Sequence, residues 1–208
     1  MYADQPLRHF MDRLCSDSPE PGGGSASALV GATAASLAGM LAALTMNKKG
    51  YEEVSGEMTR IHKQASRLKE ELLDLLQKDT EAFDDAARAF KLPKDTEEQK
   101  KRRAEAIQQG LEKASEVPVS IMEKCLEVSR LAAATLEKGN RMAITDGAIA
   151  ALFADAAAVG AMINARINFS WMKDKTYVEK AEKRLVPILE EVRRTREQAV
   201  SYTLKQLA

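Results

Sequence analysis

The sequence predicts an all-α protein, an up-and-down bundle of long helices forming one domain over residues 1–208. Three observations lead there. Hydrophobic residues make up 45% of the chain but aromatic residues only 5%, so the residue types that fill pleated surfaces are too sparse for many strands. Apolar residues recur at alternating steps of three and four over long stretches, the spacing of one helix face. The breaks between these stretches are short runs rich in proline and glycine, such as "SDSPEPGGG" and "KLPKD". A chain of 208 residues can bury one core, and no repeat period or linker divides it.

Charge and composition narrow the function. Lys plus Arg and Asp plus Glu both number 31, so no net field attracts nucleic acid or an acidic membrane surface, and a small ligand with local complementarity is expected. Cys15 and Cys125 are far apart, and His9 and His62 are isolated, so neither a disulfide framework nor a metal site is predicted. "KKRR" at residues 100–103 is flanked by acids and reads as a solvated helix face. Asp4, Arg8, Asp12, Arg13 and Asp17 interrupt the first 18 residues, unlike a secretory leader, and a cytoplasmic location is expected.

The helices follow in order. Residues 5–14 have helical spacing, and the proline and glycine run after them is a loop. Ser25 is placed to cap a helix over about 26–46 that carries no charge. That helix is long enough to cross a bilayer, but it is mostly Ala, Gly, Ser and Thr, gains little from lipid, and lacks aromatic belts. It therefore reads as a buried core helix. Gly31, Ala35, Gly39 and Ala43 recur every four residues, which predicts close approach of another helix, within the chain or across a two-fold contact. On this basis the Gly31, Ala35, Gly39 face is the expected dimer interface.

A long helix over about 52–90 follows, with the stripe Ile61, Ala65, Leu68, Leu72, Leu75, Asp79, Ala82 and Ala86. Pro93 ends it. Asp95 and Glu98 have the spacing of a capping box for the next helix, which runs to about 138 with a bend expected at Pro118. Gly139 and Asn140 stop it, Thr145 or Asp146 caps its successor, and a last helix follows "KDKT" with an inner stripe of Leu185, Ile188, Leu189 and Val192 and a bend expected at Pro187.

Few residues could carry chemistry. The glycines Gly22, Gly23 and Gly24 lack the Lys and Ser or Thr of a phosphate loop, and no strand precedes them as a dinucleotide fingerprint requires. A stiff proline pair feeding three glycines at the amino end of an apolar helix suits a ligand-contacting loop, because free N–H groups there favour an anion or a polarised carbonyl. Asp79 puts a carboxylate on an apolar stripe, which is costly unless it is paired or has a useful shifted pKa. An ion pair to a neighbouring helix and a catalytic role both fit that position. Asp146 fits a cap or an acid equally. Asn164 and Asn168 share one helix face with Gly160 and Ala157, which serves cross-helix bonds as readily as a planar ligand.

In this order, "PEPGGGSASALVGA", "DTEAFDDAARAFKLPKDTEEQKKRR", "ASEVP", "GNRMAITDGAIAAL" and "GAMINARIN" resemble the cyclodeaminase/cyclohydrolase family of folate enzymes. That family includes the carboxyl-terminal half of formiminotransferase-cyclodeaminase and free-standing bacterial methenyltetrahydrofolate cyclohydrolases. The resemblance implies an all-helical fold, a homodimer or higher even oligomer, and chemistry at the N5/N10 bridge of a tetrahydrofolate derivative, with no separate cofactor and no metal. It implies catalytic roles for Asp79 and Asp146, and substrate binding by Gly22, Gly23, Gly24, Ser25, Lys91, Asn140, Asn164 and Asn168, with Lys94 beside Lys91 in a basic turn. Thr145 stands where many relatives have Ser. The expected activity is formimidoyltetrahydrofolate cyclodeaminase, with methenyltetrahydrofolate cyclohydrolase as the alternative and a non-catalytic helical dimerisation module as the alternative of another class.

Overall fold

The computed structural model describes the backbone of residues 1–208 and all side chains except those of residues 83–86. Six α-helices account for nearly all of the chain: α1 Leu7–Leu14, α2 Gly23–Met46, α3 Ser55–Phe90, α4 Glu97–Lys138, α5 Ile144–Trp171 and α6 Lys175–Leu207. Consecutive long helices run antiparallel, as cross-helix pairs show. Lys124 meets Glu71 and Lys138 meets Glu57 between α3 and α4, while Arg166 meets Glu182 and Arg196 meets Asp155 between α5 and α6. The up-and-down bundle expected from the sequence is what forms. These ion pairs are mostly exposed and each contributes about 0–1 kcal/mol, so they orient the helices more than they hold them.

The core supplies the stability. Leu68, Leu72 and Leu76 of α3 share one core cluster with Ile121, Met122 and Val128 of α4 and Leu185 and Val192 of α6, all essentially without exposure. Each such side chain contributes about 1.5–3 kcal/mol by leaving water. The α3 stripe is buried as expected at Ile61, Ala65, Leu68, Leu72 and Leu75. Its last expected member, Ala86, lies outside the described residues.

Helix α2 runs through the centre, between α3 and α5 and against α4. Both α2 and the segment Arg141–Trp171 are long and apolar enough to cross a membrane, and half of each one's most apolar window is buried inside the bundle. The small residues of α2 are what let its neighbours close in. A β-carbon on Gly31 would lie 3.0 Å from Cys125 Sγ, and one on Gly39 would lie 3.2 Å from Ala65 Cβ. Ala35 is fully buried. The Gly31, Ala35, Gly39 face is thus used up within one chain and is not a surface for a second copy, because α3 and α4 already fill the space its missing side chains leave. The same burial pushes the Cys125 thiol up to about 12.

Several helix starts differ from the sequence expectation. Helix α2 begins at Gly23 with Gly22 as its N-cap, so Ser25 lies inside the first turn. The capping box of α4 is Thr96 with Gln99, one residue beyond Asp95 and Glu98, because the threonine hydroxyl accepts from the Gln99 N–H. Thr145 and Asp146 fall inside α5, whose N-cap is Ala143. The capping side chain there is Asn140, whose Oδ1 accepts the Met142 N–H at 3.1 Å and caps the short 3-10 turn Arg141–Ala143. Pro118 and Pro187 lie within continuous helices.

Candidate active site

The amino end of α2 points at α3. Its first three residues have N–H groups that cannot bond within the helix, and Gly22 offers no side chain to satisfy them. Asp79 answers one of them, that of Ser25, from the neighbouring helix. Its carboxylate accepts the backbone N–H of Ser25, and Ser25 Oγ donates to Asp79 Oδ2 at 2.8 Å. Ser25 is wholly buried, with its hydroxyl also 3.2 Å from the Leu76 carbonyl and 3.4 Å from Thr80 Oγ1. The carboxylate lies so close to Gly24 that a β-carbon there would collide with all three of its outer atoms. Glycine at 24 is therefore required for this approach.

Burial pushes the Asp79 carboxyl above the usual carboxylate range, against the opposing pull of its hydrogen bonds from the Ser25 hydroxyl and N–H. No cation pairs with it among the hydrogen bonds and ion pairs of the described residues. The core ion pair that would have explained a charge on the stripe is replaced by a hydroxyl and a helix terminus. What results is an acid whose ionised form burial disfavours and Ser25 holds, placed to take and return a proton.

Asp79 opens onto a cleft of about 560 Å³. Gly22 and Gly23 form one edge with Pro19 and Glu20, and Thr80 lies beside the acid. The loop is fixed from behind: Arg13 Nη2 donates to Ser18 Oγ at 2.7 Å and to Glu20 Oε1 at 3.1 Å, and Tyr2 donates its hydroxyl to Glu20 Oε2. The Glu20–Pro21 peptide is cis. Across from the loop, α5 contributes Asn164 and Asn168. A β-carbon on Gly23 would come within 2.9 Å of Asn164 Nδ2, so the two elements touch here as well. Asn164 Nδ2 donates to the Gly160 carbonyl and Asn168 Nδ2 to the Ala114 carbonyl. Each amide thus keeps its Oδ1 uncommitted among the described residues, an acceptor for ligand N–H groups. Lys91, just after α3, lies on the rim. Lys94 is exposed and is not among the lining residues.

Two expected site residues stand elsewhere. The Asn140 N–H donates to Thr45 Oγ1 at 2.8 Å, and its Oδ1 accepts from Lys48 Nζ at 3.0 Å, so it belongs to the carboxyl end of α2. Ser25 and Thr45 are about 30 Å apart along that helix. Asp146 is at the same far end, next to Gly147, which packs on Leu41 and Leu136. Within one chain neither residue reaches the cleft, and Asn140 has a structural task where it is.

Other lining residues carried no signal strong enough to single them out. Phe90 and Trp171 meet edge to face, with ring centroids 5.9 Å apart at 81°, and both line the cleft. Trp171 is 63% exposed, and Ile167 from the same helix is 56% exposed. A lone tryptophan ending a helix of small residues was the available clue, since an exposed indole is costly without a ligand or partner. Among the described residues no three His, Cys, Asp or Glu side chains converge on a metal position. The site offers the acid Asp79, a second carboxylate on Glu20 that Arg13 and Tyr2 engage, one hydroxyl, two amide acceptors, a cation on the rim and an aromatic wall, which suits proton transfer on a flat, polar heterocycle.

Known proteins resemble this chain over most of its length. The family model described as formiminotransferase-cyclodeaminase matches residues 6–186. The chain is 37% identical over 191 residues to methenyltetrahydrofolate cyclohydrolase of Methylorubrum extorquens, covering 92% of each chain. It is 32% identical to mouse formimidoyltransferase-cyclodeaminase over 91% of its own length, but spans only 35% of that protein. The crystal structure of formiminotetrahydrofolate cyclodeaminase from Thermotoga maritima superposes with a TM-score of 0.82 at 30% identity, covering 100% of this chain and 98% of that one. With a family match across most of the chain and a shared fold across all of it, the protein belongs to the formiminotransferase-cyclodeaminase family of folate enzymes.

Proposed function

We propose that the protein is a formimidoyltetrahydrofolate cyclodeaminase, with Asp79 as the proton shuttle. The observation that carries this reading is the Asp79 carboxylate, raised in pKa yet held by Ser25, on the wall of a cleft large enough for a bicyclic ring. In cyclodeamination N10 attacks the protonated formimidoyl carbon on N5, and its proton passes to ionised Asp79. The same proton then goes to the amino group of the tetrahedral intermediate, which leaves as ammonia. The product is the cationic methenyl bridge, and the again ionised carboxylate faces it as a counter-charge. Asn164 and Asn168 accept from the pterin N–H groups, and Lys91 meets the carboxylate end of the substrate.

A second reading is methenyltetrahydrofolate cyclohydrolase, favoured by the 37% identity to the Methylorubrum protein across nearly the full length of both chains. Here water adds to the bridge carbon while Asp79 takes its proton, and the bond from carbon to N5 breaks as N5 is protonated. Both reactions use the same acid at the same carbon. One assay separates them: formimidoyltetrahydrofolate is followed for methenyl absorbance with ammonia release, and methenyltetrahydrofolate for decay faster than its uncatalysed rate. Cyclodeamination predicts the first signal. The second alone assigns the cyclohydrolase, and neither signal overturns both readings.

The protein is further proposed to work as a homodimer through the outward faces of α2 and α5. Phe153, Ile163 and Ile167 on α5 and Met40 and Leu44 on α2 are exposed apolar side chains on two nearly charge-free helices. Exposed apolar side chains along two such helices mark an interaction site.

A further inference from the structure

Glu20 and Asp79 line the same cleft, but their charges are answered differently. Asp79 is held by Ser25 and pairs with no cation among the described residues. Glu20 is clasped on both oxygens: Arg13 Nη2 donates to Oε1 at 3.1 Å, and the Tyr2 hydroxyl donates to Oε2 at 3.1 Å. The rest of the lining around Asp79 carries little charge. Helix α2 offers it the Ser25 hydroxyl and N–H, α5 the Asn164 and Asn168 amides, and α4 only Leu111 and Ala114, while Lys91 stands on the rim at the end of α3. Glu20 is thus the one other acid among the described lining residues.

The clasp joins the amino-terminal segment, the loop and α3. Arg13 also donates to Ser18 Oγ at 2.7 Å, and Ser18 Oγ donates to the Glu20 carbonyl at 2.6 Å. The Tyr2 N–H donates to Gln77 Oε1 at 3.2 Å, two residues before Asp79 on α3, and the Tyr2 ring meets buried Phe10 edge to face. Pro21 restricts the Glu20 backbone and Pro19 locks its own, so the Glu20 side chain is the part left free to swing. The Arg13 and Glu20 side chains are 40% and 22% exposed, and a pair so exposed adds little to stability. Its effect is on where the Glu20 charge lies. With the clasp closed, burial is what raises the Asp79 carboxyl, and Glu20 adds nothing to it.

We propose that Arg13, seconded by Tyr2, is a positioning residue for the reaction: it holds Glu20 back as an ion pair at the cleft edge, so that Asp79 is the one carboxylate left to exchange a proton with the ligand. This rests on the reading of Asp79 as the proton shuttle. Without the guanidinium, an unpaired Glu20 charge would enter the cleft and make a second negative charge on Asp79 harder to form. Arg13 would act on the chemistry through two carboxylates while touching no ligand itself.

The test is an NMR titration of the Asp79 side-chain carboxyl carbon in the free protein, with the signal assigned through Asp79→Asn. Arg13→Gln should raise the Asp79 pKa by about half a pH unit. Adding Glu20→Gln to Arg13→Gln should bring it back, because the charge is then gone although the clasp is still broken. Tyr2→Phe keeps the ring against Phe10 and removes only the hydroxyl, so it should give a smaller shift of the same sign if Arg13→Gln does not fold. An Asp79 titration that stays in place in both variants overturns the proposal. So does a shift that persists in the double variant, since loop distortion would then be its cause. The titration needs no turnover: a protein inactive on both folate substrates would lose the reading of its reaction, while the link from Arg13 through Glu20 to Asp79 would still be decided by these variants.

Discussion

The Asp79 carboxylate occupies the space that a β-carbon on Gly24 would need, which sets the acid directly against the first turn of α2. Gly24→Ala should therefore push the acid out of line without disturbing the bundle elsewhere. A fall in kcat of tenfold or more is expected, with a stability loss within the roughly 1–3 kcal/mol of a local overpacking. Steady-state kinetics beside helical circular dichroism check this. Normal turnover would show that the contact is not needed for catalysis.

Asp79→Asn keeps the shape and removes the charge. Loss of an acid–base group predicts a fall in kcat of roughly a hundredfold or more. The stability change has a definite sign. Because the folded-state pKa is raised, ionisation of Asp79 costs stability as pH rises from the unfolded value through the folded one. At neutral pH the variant should then melt no lower than the parent, and any gain should vanish in acid, below the unfolded pKa. A lowered midpoint with full activity would return Asp79 to a structural role.

Ser25→Ala removes a hydrogen bond that lowers the Asp79 pKa. The acid should become still harder to ionise, so the acidic limb of the pH–kcat profile should move to higher pH. An unmoved limb would mean that Asp79 is not the group being titrated.

Ala35→Leu adds bulk at a fully buried position between packed helices. The thermal midpoint should fall by an amount equivalent to about 1–3 kcal/mol, while the sedimenting mass of the folded fraction stays the same. A changed mass with unchanged stability would put this face at an interface between copies.

Ile163→Glu places a charge on the 60% exposed residue at the middle of the outward α5 face. Sedimentation should show a smaller species than the parent, with the helical content kept. An unaltered oligomer, or a parent that is already a monomer, would rule this face out as the interface.

The bundle was legible because periodicity and breakers are local: the Leu68, Leu72 and Leu75 stripe and the Pro93 break need no knowledge of partners. The importance of Asp79 was legible for the same reason, since a carboxylate on an apolar stripe violates its own surroundings. What answers that charge was not, because the Ser25 N–H and hydroxyl come from 54 residues away. Ser25 itself was assigned to capping, a local motif, while its actual partner is across a helix interface. The Gly31, Ala35, Gly39 face showed correctly that something approaches closely but could not say whose helix it is. Asn140 and Asp146 lie in a motif that resembles the family's, and resemblance carries no distance: only the antiparallel path of α5 places them at the other end of α2 from the acid.

The spacing of contacts along α2 has a mechanical consequence. On one side Gly24 faces Asp79, Gly31 faces Leu72 and Gly39 faces Ala65, and on the other Gly23 faces Asn164, Ser27 faces Gly160 and Leu41 faces Gly147. The helix is a rule graduated along both edges, with the acid at its zero mark. Sliding it by one residue would shift it by about 1.5 Å and turn it by about 100°, driving side chains into every slot that now holds none. The alignment of Asp79 is thus set over about 22 Å of helix between Gly24 and Gly39, and a single residue inserted near Gly39 would misplace the acid at the opposite end.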